Sequence, residues 1–208
     1  MNLSDKVNFV GVFSIKAVNR DGTVDEKKKK NLIMDRARSN MAQLVGGVTT
    51  EGDVKGMFID RFVIGTKGHV GTDILNYVKS GENGFTSTRT ALFSELLEDS
   101  VNYSIPFVPT GAATVTDSAA VGTLLTGGTA VAVDAAKNTV KRVVSNRTVT
   151  YTITIPATNA NSRDPANPVI AYTEAALYAG GDIFSMKTFP ARVKEDTVSF
   201  VITWSIIF

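Results

Sequence analysis

The C-terminal segment constrains this chain more than any other stretch. Val198, Phe200, Ile202, Trp204, Ile206 and Phe208 fall on one side of a period of two, and Thr197, Ser199, Thr203 and Ser205 on the other. Full burial of such side chains contributes on the order of 1.5–3 kcal/mol each, so an edge carrying six of them is not stable in water. The C-terminus is therefore expected inside a sheet, as part of the core or of an interface. The same alternation recurs near the start, with Phe9, Gly11, Phe13, Ile15 and Ala17 opposed to Val10, Val12, Ser14, Lys16 and Val18. It recurs again where Val149, Tyr151, Ile153 and Ile155 alternate with Thr148, Thr150, Thr152 and Thr154, an apolar face and a threonine face.

Turn chemistry connects these runs. Asn19, Arg20, Asp21 and Gly22 predict a turn returning through Thr23 and Val24, and Asn146 predicts a hairpin between Val140–Val144 and the threonine-faced strand. Gly180-Gly181 separates a strand around Val169, Ala171, Thr173 and Ala175 from an extended segment with Ile183, Phe184 and Met186, and Glu195-Asp196 closes a hairpin before Val198. One segment changes period. Ile33, Ala37, Met41, Leu44 and Val45 recur at helical spacing, with Asn31 as a cap and Gly46-Gly47 as the stop, which predicts the principal helix.

Between these landmarks the pattern is weaker. Met57 to Ile64 reads as a strand ended by Gly65, residues 65–84 as a long loop with a helical turn around Asp73 to Tyr77, and Val101 to Val108 as extended. Thr90 to Leu97 fits a strand or a short helix. Residues 110–138 are rich in Ala, Thr, Gly and Val, with little side-chain bulk, and suit either a weakly registered strand pair or an arm that orders against a neighbour. The expectation is a mainly β protein, one domain over residues 1–208. Its architecture is an antiparallel β-sandwich, with a jelly roll as one option, carrying one principal α-helix and an insertion at 110–138.

Charge and composition narrow the functional classes. Lys+Arg 22 against Asp+Glu 20 gives a net charge of +2, too small for a general nucleic-acid or membrane field. With no cysteine there are no disulfides, zinc-thiolate sites or thiol nucleophiles, which fits manufacture in a reducing cytoplasm. MNLSDKVNF lacks the pattern of a signal peptide, and no window approaches the roughly 20 apolar residues of a spanning helix.

Candidate chemistry is sparse. His69 is the sole histidine, and a triad or zinc site needs a positioned imidazole with partners. Gly65-Thr66-Lys67-Gly68 lacks the glycine spacing and Lys-Ser/Thr pair of a phosphate loop. Glu95, Glu98 and Asp99, and Glu195 with Asp196, have no spacing that opposes two carboxylates across a cleft. Lys27 to Lys30 reads as a solvated hairpin end, with contact to an acidic partner as the other reading. Glu174 interrupts the apolar stretch Ala171 to Tyr178, so it is expected to be buried and satisfied by Arg192, Lys187 or a backbone cluster. No catalytic, cofactor-binding or metal-binding residue is assigned, and a non-enzymatic role is expected.

The order of features points further. Lys30-Asn31-Leu32-Ile33 leading into a helix, the Ile64-Gly65-Thr66 stretch, Glu174-Ala175-Ala176-Leu177-Tyr178, Phe184 to Pro190 and a closing Trp204-Ser205-Ile206-Ile207-Phe208 together resemble tailed-bacteriophage virion proteins. Those proteins are found among tail, baseplate, collar and fibre-associated subunits. The resemblance covers residues 7–66 and 169–208 and implies a structural role in a virion. In it Glu174, Phe189, Pro190 and Trp204 define the fold, and the partners are other virion proteins and further copies of the chain in a ring or trimer. A receptor- or carbohydrate-binding β-sandwich is the alternative, with Tyr77, Phe85 or Tyr103 as exposed rings for stacking on sugars.

Overall fold

The computed structural model of the protein describes residues 10–46, 57–97, 100–107, 114–120, 123–124, 138–162 and 166–208. The elements in chain order are β1 (Val10–Asn19), β2 (Val24–Ile33), α1 (Asp35–Val45), β3 (Arg61–Gly65), β4 (His69–Val70), β5 (Asp73–Tyr77), α2 (Phe93–Leu96), β6 (Asn102–Pro106), β7 (Thr114–Ala120), β8 (Thr123–Leu124), β9 (Asn138–Ser145), β10 (Thr148–Ile155), β11 (Ile170–Ala179), β12 (Asp182–Lys194) and β13 (Val198–Ile207). The mainly β reading holds. Eleven strands form one antiparallel sheet in the order β7-β9-β10-β13-β1-β2-β12-β11-β3-β6-β8, nearly closed into a barrel, and β4-β5 form a separate small hairpin.

The C-terminal strand lies where its pattern requires. β13 sits between β10 and β1, and Phe200, Ile202, Trp204 and Ile206 are all completely buried. Register aligns the apolar positions in rows. Trp204 is opposite Phe13 and Tyr151, Ile202 is opposite Ile15 and Ile153, and Phe200 is opposite Ala17 and Ile155. The other half of the sheet folds over this face, so the sandwich is two halves of one sheet. Across the core, Phe13 stacks on Phe189 at 5.4 Å between ring centroids, Phe62 meets Trp204 edge-on at 6.5 Å, and Tyr172 meets Phe200 at 6.2 Å.

The seam joining the halves is narrow. β2 pairs with β12 only at Ile33↔Ser185 and Leu32↔Met186. On the opposite side β9 approaches β6, where the Asn138 amide donates to the Tyr103 hydroxyl at 3.0 Å. β7 pairs with β9 and β8 with β6, so these two strands of the 110–138 segment lie at the two edges of the sheet and do not pair with each other. The rest of that segment, like Phe9, lies outside the described residues.

β11 is buried on both faces. Ala175, Leu177 and Ala179 join the main core, while Ala176 and Tyr178 join a second cluster with Val63, Val78, Phe85, Leu92 and Met186. A strand covered on both sides loses the clean alternation of a half-solvated one.

Three local expectations are corrected, and β12 adds a feature that the pattern did not address. The helix begins at Asp35, not Asn31, because Asn31 is paired with Gly11 on β1 and Ile33 with β12. Lys-Asn-Leu-Ile is thus the end of a strand. Asp73 to Tyr77 is a strand, not a helical turn, reached through Gly71 at φ 57°. Met57 and Ile59 are buried but precede β3, since the Asn40 amide holds the Met57 carbonyl at 3.0 Å under α1. β12 continues through Pro190, which the sheet accommodates in a bulge where Tyr172↔Arg192 is followed by Glu174↔Thr188. The undecided segment at Thr90 to Leu97 contains the short helix α2.

Candidate functional site

Glu174 is completely buried and its carboxylate caps α2. Oε2 accepts from the Phe93 N–H at 2.9 Å and Oε1 from the Ser94 N–H at 2.7 Å. These are the orphan donors of a helix start, and a carboxylate there also complements the helix dipole. The partners are the expected backbone cluster, whereas Arg192 pairs with Asp25 and Lys187 lies beside Tyr77. Burial raises the Glu174 pKa, opposed by the hydrogen bonds from Ser94 and Phe93.

The neighbouring groups serve the same end. Glu95 accepts from the Leu92 N–H at 2.7 Å and from the Tyr178 hydroxyl. Arg89 lies 3.7 Å from the centroid of the Phe93 ring, within the field of Glu174 and Glu95. The Asn102 amide holds the Ser94 carbonyl at 3.0 Å. Gly65 is required beneath this cluster, since a Cβ there would stand 2.0 Å from Ser94 Oγ. Both carboxylates face backbone N–H groups, so the arrangement fixes α2 onto the sheet.

A second buried ionisable group escaped the sequence reading. Lys194 has no exposed surface, and its Nζ donates to Ala157 O at 2.9 Å, Asn161 Oδ1 at 2.8 Å and Glu195 O at 3.1 Å. Three acceptors match the three donors of an ammonium. Burial pulls its pKa down to about 7. In the sequence Lys194 abuts Glu195-Asp196 and looks like turn charge; only the inward register of β12 reveals it.

The remaining candidates are scattered. His69 is half-buried in β4. Glu195 accepts from Thr197 Oγ1 at 2.9 Å within the turn, and Glu98 and Asp99 lie outside the described residues. Among the described residues no cluster of His, Asp and Glu forms a metal site. Phe85 and Tyr103 are 2% and 1% exposed, which removes them as sugar-stacking rings. Both are core residues. Tyr77 is half-buried, with Lys29 Nζ 2.9 Å from its hydroxyl and Lys187 Nζ 5.8 Å from its ring centroid.

Three surfaces remain. The outer face of β1, β13, β10 and β9 is a grid in register, short-chained except for Lys141: Val12, Ser205, Thr150 and Val143 in one row, and Ser14, Thr203, Thr152 and Lys141 in the next. These residues are half-buried, save for buried Ser14 and exposed Lys141, and Thr150 and Ser205 hydrogen-bond at 3.0 Å. The second surface is β2, exposed on both faces from Val24 to Lys30. Lys27 and Lys29 share the face of Ile15 and Phe13, and Lys28 and Lys30 that of Ser14 and Val12. The lysine run is therefore a strand edge, not the hairpin end that the sequence suggested. The third is an apolar groove of about 210 Å³ between α1 and the sheet, lined by Met41, Phe58, Val149, Tyr151 and Phe208 among others.

Comparison of the chain with protein-family models, curated proteins and solved structures finds no match.

Proposed function

We propose that this chain is a non-enzymatic structural subunit of a tailed-bacteriophage virion, from the tail, neck or baseplate, that works by packing against copies of itself and against other virion proteins. The observation carrying this reading is the short-chain grid on the outer face of β1, β13, β10 and β9. Threonine and valine are stiff at χ1, so ordering them in a contact costs little entropy. Such a surface mates flat against another sheet.

Its size suits an assembly better than a free dimer. With strands ~4.8 Å apart and ~3.3 Å per residue, a face of four strands and about eight residues covers roughly 500 Å². Two such faces bury about 1,000 Å², the lower limit for a specific interface. A contact of that area is weak alone and persists where several are made together. The resemblance of residues 7–66 and 169–208 to tailed-bacteriophage virion proteins points the same way, except at Lys30-Asn31-Leu32-Ile33, which ends β2 instead of leading into the helix.

Light scattering over a concentration series tests it. Reversible self-association is expected, and it should be lost in the double variant Thr152→Glu/Thr203→Glu while the melting temperature is kept. A protein that stays monomeric near millimolar concentration, and is absent from purified particles, would refute the proposal.

A further inference from the structure

We infer that the free edge of β2 is a docking site for an extended, acidic polypeptide segment that adds to the sheet as a further strand. The inference does not rest on the virion reading.

β2 is paired with β1 from Val24 to Asn31 but reaches β12 only at Leu32 and Ile33. Among the described residues no strand pairs with the other side of residues 24–31, so their backbone presents the N–H and C=O groups of every second residue outward, a template for another strand. Both faces are also open, since every side chain from Val24 to Lys30 is exposed. Among the described residues, side chains from Val24 to Lys30 make contacts across the strand's open side only at Lys29 with Tyr77 and Asp25 with Arg192, whereas β11 in the same sheet is buried on both faces.

The side chains select the sign of the partner. Asp25 is taken up by Arg192, and Glu26 by Ser14 and Lys16. Lys27, Lys28, Lys29 and Lys30 form no salt bridge among the described residues. They place two cations on each face of the strand. Lys187 and Lys79 add to this charge around Tyr77, whose pKa is lowered first by the hydrogen bond from Lys29 and then by the fields of these lysines.

Lysine on an edge strand also guards against self-pairing. Here two copies of β2 would bring eight lysines together, so a second copy is repelled. A strand bearing carboxylates on alternate residues meets the opposite condition, since its backbone is satisfied by the edge and its charge by the lysines. Strand addition of this kind draws affinity from main-chain hydrogen bonds and specificity from alternate side chains.

The test uses a fluorescent peptide alternating Glu and Thr, as long as β2 at 10 residues. It is compared with an analogue N-methylated throughout, which keeps the charge and loses the donors, and with a single-stranded oligonucleotide of equal charge. Anisotropy at about 150 mM salt, where the Debye length is about 8 Å, separates short-range pairing from a diffuse field. The peptide is expected to bind and to slow hydrogen exchange at alternate amides between Val24 and Asn31. The N-methylated analogue, and the variant Lys28→Glu/Lys30→Glu with its melting temperature kept, should each bind at least roughly tenfold more weakly. Equal binding of the methylated analogue, or equal competition by the oligonucleotide, would mean that the edge reads charge alone and would overturn the inference. Failure of the peptide to bind at millimolar concentration would reduce the lysines to an edge guard and overturn it as well.

Discussion

Replacing Lys194 by methionine tests whether its buried amine is a pH-dependent brace between β12 and the loop at 156–162. The wild-type side chain is fully buried and satisfies Ala157 O, Asn161 Oδ1 and Glu195 O. Its pKa is about 7 in the folded protein, against 10.5 for an ordinary lysine. Between those values the unfolded chain holds a proton that the folded chain has released, so stability rises with pH from about 7 towards 10. At ~1.4 kcal/mol per pH unit, wild type should gain roughly 3 kcal/mol between pH 6 and pH 9 from this group alone. Methionine abolishes the linkage and orphans the acceptors, three for the ammonium and two for the neutral amine that prevails above pH 7, each costing about 1–3 kcal/mol, while sparing the buried charge. Near pH 6 the two effects nearly cancel, and near pH 9 the variant should be less stable by about 3 kcal/mol. Urea titrations at pH 6, 7, 8 and 9, followed by the emission of Trp204, the sole tryptophan, give the difference directly. Other titrating groups cancel because both proteins share them. A stability difference that does not change with pH would refute the reasoning.

Glu174→Gln retains one acceptor for α2 and turns an amide N–H₂ toward the other backbone N–H, which should cost about 1–3 kcal/mol in chemical denaturation at pH 7. Burial raises the Glu174 pKa, so the folded state holds its proton to higher pH than the unfolded state. Wild type should therefore lose stability relative to Glu174→Gln as pH rises above the ordinary carboxylate range, and regain it on acidification. Gly68→Ala would bring a Cβ to 2.6 Å from the Thr173 carbonyl oxygen and 2.7 Å from Glu174 Cβ. Because one neighbour is backbone, the clash should lower stability by about 1–3 kcal/mol, read as a reduced denaturation midpoint with an unchanged m-value.

The long half-solvated strands were legible because one face is buried and the other is not. β13 alternates along its whole buried length and β10 from Thr150 onward, while β1 departs from it at buried Ser14, and the hairpin at Asn146, where φ is 51°, follows from its turn residues. Glu174 was readable as a buried carboxylate because it breaks an apolar run, and a backbone cluster was among its expected partners, although its place at the start of α2 was not. Legibility failed where tertiary contacts outweigh local pattern. Ile33 fits a helical stripe with Ala37 and Met41, yet its backbone is claimed by Ser185, distant in sequence, and the strand wins. Lys194 showed no signal, because a lysine beside two acids at a turn has the composition of a solvated loop.

Period-two alternation and composition are enough to establish that the chain is mainly β, that its C-terminal strand is internal and that no disulfide supports it. Long-range packing sets the rest: that eleven strands form one sheet folded on itself, that two carboxylates brace a four-residue helix, that Lys194 is buried and that the lysine run is an edge unpaired among the described residues. The reason is physical. Alternation reports how many faces of a strand are covered, whereas strand order, register across a seam and the satisfaction of buried charge depend on groups far apart in the chain, whose meeting no local pattern encodes.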